Sequence, residues 1–266
     1  MTSKVKKYLV IGNPIEHSLS PKLHNYWIKE NNISAIYEKK QLNEIDIEGI
    51  ISEVKNGKID GINVTVPFKK SVIPFLDQLT DLAKEACSVN TIFKKDNKVI
   101  GNNTDVGGFE QGLKHINYSV KNKKVFILGA GGVAPSIIIS LRRLGAAKIT
   151  LSNRTKEKAE NIKKIYTDLE IIDWGETPDF DMVINATSLG LKKTDEIKLN
   201  YKKLGPHKLF YDIIYNPAET NFLIEAKKFG NQVENGRMMF IYQAQLSFKI
   251  WHNILPKINQ NLLIND

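Results

Sequence analysis

The chain has 266 residues, 42% of them hydrophobic and 25% charged, and a net charge of +9. That composition excludes intrinsic disorder and collagen-like repeats and leaves room for two domains of about 100–150 residues each. A single cysteine, Cys87, excludes an internal disulfide and a two-cysteine metal clip, so packing alone must hold the fold.

The positive charge is scattered in lysine pairs such as Lys6-Lys7, Lys94-Lys95, Lys192-Lys193 and Lys227-Lys228, with no single basic block and no aromatic interleaving. Solvated faces and an anionic small-molecule partner fit this pattern better than nucleic acid does. Met1 to Gly12 is basic and then only briefly apolar, too short for a secretory leader. Val133 to Leu141, the longest strongly apolar stretch, contains Pro135, Ser136 and Ser140 and falls short of the ~20 residues of a membrane span. The expected setting is the cytoplasm, with no membrane attachment.

Short apolar runs alternate with amphipathic stretches, the pattern of an α/β protein with a largely parallel sheet. In chain order, a strand is expected at Lys7–Ile11, a helix at Pro21–Asn31, strands at Ile36–Lys40 and Gly61–Val66, and helices at Asp81–Cys87 and Val106–Ile116. There follow a strand at Val125–Leu128, a helix at Val133–Gly145, a strand at Lys148–Ser152 and a helix at Lys156–Tyr166. Strands at Met182–Asn185 and Leu209–Ile213 precede a helix at Thr220–Phe229. Met238–Leu255 reads as one long helix stopped by Pro256. The polar, glycine-rich passage from Gly101 to Gly108, between a strand pair and a helix, marks a domain boundary near residue 105, and the second domain runs to about Gly236. Residues 237–266 then return to the first domain, and a cleft between the two domains is expected.

Lys123 to Leu128 leads into Gly129-Ala130-Gly131-Gly132-Val133-Ala134, a G-x-G-x-x-A pattern between strand and helix. Gly129 permits the tight turn, Gly131 lets a pyrophosphate approach the backbone, and Ala134 lets the helix pack closely on the strand. The helix N-terminus offers free N–H groups to the anion. About 20 residues on, where NAD-binding folds place an acidic residue for the ribose, the chain has Ser152-Asn153-Arg154-Thr155 and then Lys158. A guanidinium there suits a 2′-phosphate, so NADP(H) is expected over NAD(H). Arg154 is one of only four arginines, which argues against an accident of composition. Thr155 also suits a helix N-cap, and Lys158 reads equally well as a solvated side chain.

Two segments near the N-terminus have the chemistry of a polar site. Gly12 to Pro21 follows the first strand and brings Ser18 and Ser20 to a helix start, suited either to a carboxylate or to ordinary serine capping. Asp60 to Lys69 alternates Asn63 and Thr65 with Ile62, Val64 and Val66, ends at Pro67, and puts Lys69 at an expected helix start, where the dipole disfavours a cation. Asn90 and Asp105 follow further strand ends. His17, His24, His115, His207 and His252 have no ligand spacing, and no metal is expected.

These motifs, in this order, resemble the shikimate dehydrogenase family over nearly the whole chain. They are Pro14 to Pro21, Asn63 to Lys69, Val89-Asn90-Thr91, Asn103-Thr104-Asp105, Gly129 to Gly132, Asn153-Arg154-Thr155, Asn185 to Ser188, Tyr211 to Pro217 and Tyr242-Gln243-Ala244. The resemblance implies an α/β fold of two domains: a mixed, mostly parallel substrate-binding domain (1–105, with 237–266) and a doubly wound Rossmann-type NADP-binding domain (106–236). It implies an NADP-dependent oxidoreductase acting on a CH–OH group, interconverting 3-dehydroshikimate and shikimate in chorismate and aromatic amino-acid biosynthesis.

Carried over by position, Lys69 and Asp105 would be the catalytic pair. Ser18 and Ser20 would hold the substrate carboxylate with Tyr215 nearby, and Asn63, Thr65, Asn90, Asp105 and Gln243 would grip the ring hydroxyls. The cofactor surface would comprise Gly129, Ala130, Gly131, Gly132, Val133, Asn153, Arg154, Thr155, Lys158, Thr187, Ser188, Ile213, Gly236 and Met239. Met239 reads equally as core packing. Cys87-Ser88 stands where the family commonly has small residues, and Met238 where it commonly has glycine. Pro135 falls in the first turns of the nucleotide-fold helix, where its missing N–H costs least. Lys69 could act as a proton donor and acceptor or as a fixed charge. Competing readings are a quinate or NAD-tolerant enzyme of the same fold and a non-catalytic NADP-sensing regulator, which would not need Ser18, Lys69 and Asp105 together. Expected partners are a small-molecule substrate and, in a homodimer, a second copy of the chain; a monomer is the alternative.

Overall fold

The computed structural model describes residues 4–259. In chain order its elements are β1 (Lys6–Gly12), α1 (Ser20–Glu30), β2 (Ala35–Gln41), α2 (Ile47–Lys55), β3 (Gly61–Val64), β4 (Gln78–Leu79), α3 (Asp81–Ala86), β5 (Thr91–Lys95), β6 (Lys98–Asn102) and α4 (Asp105–His115). There follow β7 (Lys124–Leu128), α5 (Ala134–Arg143), β8 (Lys148–Ser152), α6 (Lys156–Ile165), β9 (Glu170–Ile172), β10 (Met182–Asn185), α7 (Tyr201–Leu204), β11 (Leu209–Asp212), α8 (Asn221–Lys228), β12 (Gln232–Glu234) and α9 (Arg237–His252). The chain divides into two compact units, residues 1–108 with 241–266, and residues 109–240.

The first unit is built on a six-stranded sheet of order β2-β1-β3-β5-β6-β4. Strands β2, β1 and β3 are parallel, β5 runs antiparallel to β3 and β6, and β4 pairs parallel with β6. Strand β3 is buried along its whole length, as expected of a strand covered on both faces. On one side Ile47, Ile50, Ile51 and Val54, spaced at helical period along α2, pack with Leu9, Ile11, Ile62 and Val64. Elsewhere in the unit His24 stacks on Tyr37, with ring centroids 4.2 Å apart, and Trp27, Phe248 and Trp251 surround it.

The second unit is a six-stranded, all-parallel sheet of order β12-β11-β10-β7-β8-β9. Counted within the unit, this is the 3-2-1-4-5-6 order of a doubly wound dinucleotide fold, whose switch point lies between β7 and β10. Phe126, Leu128, Val183 and Phe210 from the central strands pack with Phe180, Phe222 and Leu223. The fold class is therefore the expected one: an α/β chain with a mixed sheet followed by a Rossmann-type sheet.

Three local expectations need correction. The Gly61 strand ends at Val64, and Val66 lies 58% exposed beyond it. Lys69 sits in a run of turns and not at a helix start, so the dipole argument for it falls. Helix α9 ends at His252 instead of at Pro256, because Asn253 takes a left-handed conformation (φ 54°) that stops the helix. Residues 1–3, in the segment read as too short for a secretory leader, and residues 260–266, at the end of the expected C-terminal segment, lie outside the described residues. Among the described residues no helix is long and apolar enough to cross a membrane.

Candidate active site

Within the first unit the two N-terminal segments are neighbours. Thr65 N donates to Ile11 O at 2.9 Å and Asn13 N to Val66 O at 3.0 Å, laying the 12–21 loop along residues 65–66. A Cβ on Gly12 would come within 2.5 Å of Thr65 Cγ2, so the approach needs a glycine. Leu19, not a serine, takes the N-cap position of α1 and makes no side-chain bond, with Pro21 in the first turn. The serine-cap reading is thereby corrected: the Ser18 hydroxyl instead accepts from Ser20 N at 3.3 Å.

Lys69 is held by its turn and by its own carbonyl, which accepts from Val89 N at 2.8 Å. Its ammonium lies 2.5 Å from Asp105 Oδ2. Both residues are buried, Lys69 at 9% and Asp105 at 5% exposure. Asp105 opens α4, where a carboxylate complements the helix dipole, and Asn103 Oδ1 accepts from Val106 N at 3.2 Å beside it. The second carboxylate oxygen, Oδ1, accepts from Asn90 Nδ2 at 2.9 Å. Gln243 Oε1 is 3.4 Å from the same Asn90 nitrogen. Lys69, Asp105, Asn90 and Gln243, from four distant parts of the sequence, thus form one connected cluster.

Asn63 is buried beside the cluster with its amide already engaged. Its Oδ1 accepts from Tyr37 OH at 2.7 Å, and its Nδ2 donates to Asn90 O and Ser247 Oγ, each at 3.0 Å. Thr65 is half-buried at the strand end. Tyr215 belongs to the second unit, where its ring stacks on Phe240 with centroids 4.6 Å apart.

Most cofactor candidates of the second unit lie just past the carboxyl ends of parallel strands: 129–133 after β7, 153–155 after β8, 187–188 after β10, 213 after β11 and 236 after β12, with Lys158 in the first turn of α6 and Met239 in α9. That edge is where open α/β sheets bind their ligands. Gly129 has φ 109°, and a Cβ there would sit 2.8 Å from the backbone of Ala186. Its glycine is thus demanded by the neighbouring loop. A Cβ on Gly131 would meet only Ala186 O, at an ordinary van der Waals distance of 3.8 Å, so a methyl group fits there without collision.

Asn153 is structural in this unit, accepting from Ala130 N at 2.9 Å and donating to Thr155 O at 2.8 Å. Thr155 takes the N-cap position of α6, though its hydroxyl makes no cap bond. Arg154 and Lys158 are exposed, and neither has an ion pair among the described residues. Pro135 falls within the first two positions of α5, where its missing N–H costs nothing. Ser188 is exposed and Met239 is buried, while Ile213 is half-buried. Gly236 is tightly confined: a Cβ there would collide with the carbonyl oxygen of Ile213.

Sequence reasoning missed the groups beneath these loops. Asn185 Oδ1 accepts from both the N–H and the hydroxyl of Thr187, and its Nδ2 donates to Asp212 Oδ1 at 3.0 Å. Asp212 Oδ2 in turn accepts from Thr220 at 2.6 Å, and burial raises its carboxyl above the usual range against these hydrogen bonds. In the first unit Thr91 and Thr104 stood in the motifs without a role, and Ser247 was passed over. A serine on the buried stripe of α9, between Ala244 and Phe248, was the available signal.

Comparison with known proteins agrees with this geometry. The family model "Shikimate dehydrogenase substrate binding domain" matches residues 10–92, and "Shikimate / quinate 5-dehydrogenase" matches residues 111–213. The chain is 58% identical, over 97% of each chain, to a protein of Pelagibacter ubique (strain HTCC1062) named shikimate dehydrogenase (NADP(+)). A shikimate dehydrogenase structure from Aquifex aeolicus superposes with a TM-score of 0.89 at 36% identity, covering 98% of this chain and 97% of that one. A shikimate 5-dehydrogenase from Thermus thermophilus, solved in complex with NADP(H) and shikimate, gives 0.87 at 28% identity over 95% of both. With a buried lysine–aspartate pair in one unit, a glycine-loop Rossmann sheet in the other, and full-length similarity to these relatives, the chain belongs to the shikimate dehydrogenase family.

Proposed function

We propose that this protein interconverts 3-dehydroshikimate and shikimate with NADP(H), and that Lys69 and Asp105 are its catalytic pair. The buried contact between Lys69 Nζ and Asp105 Oδ2 carries the assignment of roles. Burying two charges costs several kcal/mol per ion and stabilises poorly compared with apolar packing, so a pair placed among polar side chains at strand ends is better explained by chemistry than by stability.

The second unit fits the dinucleotide: a pyrophosphate would lie against the uncrowded Gly131 backbone at the α5 N-terminus, and the exposed cations Arg154 and Lys158 suit a 2′-phosphate. NADP(H) would supply or accept the hydride. Gly129 to Val133 and Thr187-Ser188 would hold the dinucleotide, with Ile213, Gly236 and Met239 around its reactive end.

The chain's own residues do the rest. As the ketone of 3-dehydroshikimate is reduced, negative charge grows on its oxygen, and the Lys69 ammonium meets that charge and delivers a proton to it. Asp105 keeps the ammonium aimed and accepts a hydrogen bond from a ring hydroxyl. Ser18 and Ser20 hold the carboxylate with neutral donors, assisted by Tyr215, and Thr65, Asn90 and Gln243 orient the ring hydroxyls. Asn63, whose amide is spent on its neighbours, serves by fixing Asn90. The protein acts in the cytoplasm on a free small molecule, as a monomer or homodimer, without nucleic acid.

The experiment is direct: purified protein is mixed with shikimate and NADP, then with NAD and with quinate, and reduced nicotinamide is followed by absorbance. Turnover with shikimate and NADP is expected to exceed every other pairing. Silence with all pairings would leave the sensing role and remove the enzyme.

A further inference from the structure

We infer that Ser247, on α9, is a positioning residue for the catalytic pair, acting through the orientation of the Asn90 side chain. The inference rests on the catalytic reading of Lys69 and Asp105. Ser247 is completely buried, and its Oγ lies within hydrogen-bond distance of four groups: Thr91 Oγ1 at 2.8 Å, Asn63 Nδ2 at 3.0 Å, Gln243 O at 3.0 Å and Thr104 Oγ1 at 3.1 Å.

Three hydroxyl hydrogens, from Thr91, Thr104 and Ser247, face five acceptors: Asn90 Oδ1, Gln243 O and the three hydroxyl oxygens. Of these, Thr91 Oγ1 also lies 3.2 Å from Asn63 Nδ2 and from Thr104 Oγ1, and Thr104 Oγ1 lies 2.9 Å from Asn90 Nδ2. Ser247 has one hydrogen, and the Gln243 carbonyl one turn earlier on its own helix takes it. Its lone pairs are then left to accept from Asn63 Nδ2 and from one threonine. The other threonine donates to Asn90 Oδ1, which Thr104 N also holds, at 2.7 Å. With Oδ1 so anchored, the Asn90 amide has one orientation, and its Nδ2 must face Asp105 Oδ1 at 2.9 Å. Asp105 is therefore gripped on both oxygens, by Lys69 and by Asn90. Ser247 touches neither, yet it bonds the Asn63, Thr91 and Thr104 side chains that flank Asn90 and also ties down the backbone of Gln243.

Removing Oγ takes an acceptor from the Asn63 N–H and from a threonine hydroxyl. Asn63 Nδ2 is left with Thr91 Oγ1 at 3.2 Å and Thr91 with Thr104 at 3.2 Å, and that rearrangement draws the threonine hydroxyls from Asn90 Oδ1 and loosens the Asn90 amide. Ser247→Ala is expected to lower kcat for shikimate oxidation about tenfold, with KM for NADP changed by less than about twofold. The deciding measurement is a double-mutant cycle with Asn90→Ala. If Ser247 works through Asn90, Ser247→Ala lowers kcat no further in the Asn90→Ala background, whereas a residue that only supports the fold gives losses that multiply.

Thr91→Val, which keeps volume and removes the hydroxyl on the other side of the network, provides the same cycle if Ser247→Ala does not fold. Ser140→Ala is the control, because Ser140 is equally buried and also donates to a carbonyl one turn back, that of Ser136, but lies in α5. It is expected to lose stability without losing kcat. Unchanged kcat in both network variants, or multiplying losses, overturns the inference while the wild type remains active. A wild type inactive on shikimate overturns the proposed function itself.

Discussion

Asp105 receives the Lys69 ammonium at 2.5 Å, although the two residues are 36 positions apart and come from a turn after β3 and the first turn of α4. Each is nearly inaccessible to solvent, so removing one strands the other's charge in a poorly solvated place. Activity and stability can therefore be separated by substitution.

Lys69→Met is expected to lower kcat by about a thousandfold or more while shifting substrate KM by less than about tenfold, and to destabilise the fold by about 3–5 kcal/mol. In the double variant Lys69→Met with Asp105→Asn, denaturant unfolding is expected to recover much of that stability while turnover stays lost. A Lys69→Met protein with near-normal turnover would remove Lys69 from the mechanism.

Arg154 is exposed at the end of β8, with no carboxylate partner among the described residues. Arg154→Gln is expected to raise KM for NADP by about 10–100-fold through loss of a bidentate phosphate contact, leaving KM for NAD within about threefold. Steady-state kinetics with both dinucleotides reads the ratio. An equal change for both would assign Arg154 to general binding.

His24 is stacked on Tyr37, and neither ring nitrogen has a hydrogen-bond partner. Burial, with a smaller contribution from His252, lowers its pKa from 6.5 to about 3. His252 is lowered to about 4, again mainly by burial. The unfolded chain therefore takes up protons first as pH falls. The stability from keeping His24 neutral is complete above about pH 6.5 and drains away toward about pH 3. From pH 7 to pH 5 His24 alone should cost about 2 kcal/mol. Urea unfolding at both values should show a smaller loss in His24→Phe, and an equal loss in the two proteins would refute the assignment.

Gly236→Ala forces a methyl group into the carbonyl of Ile213, a backbone atom that cannot swing aside. A loss of about 3 kcal/mol or more is expected from this collision, together with weakened NADP binding, measured by unfolding and by dinucleotide titration. Gly131→Ala, whose methyl meets only Ala186 O at an ordinary 3.8 Å, should keep its stability and lose affinity for NADP only.

Much of the fold is legible because the second unit's strands are continuous apolar runs bounded by glycine or polar turns. Lys148–Ser152 and Met182–Asn185 emerge from the sequence with the bounds they have. Helix α2 escapes sequence reasoning despite buried Ile47, Ile50, Ile51 and Val54 at helical spacing. Strands β5 and β6 are legible only as a strand pair without bounds, because their outer halves are rich in lysine and their turn uses Asp96 and Asn97 at positive φ instead of an Asn-Gly pair. The edge strands β9 and β12 are three residues each, too short for alternation to register.

The amino-acid order alone determined the glycine loop, the arginine after β8 and the residue types of the polar clusters, because turn chemistry and charge are local properties written into neighbouring residues. Only the tertiary structure decided that Lys69 meets Asp105, that Asn63 is spent on its neighbours, and that Ser247 reaches Thr91 and Thr104. Those relations join positions from 26 to 184 apart in the chain. A hydrogen bond depends on ångström-scale distance and direction, and strand pairing and helix packing set these where sequence separation carries no trace of them.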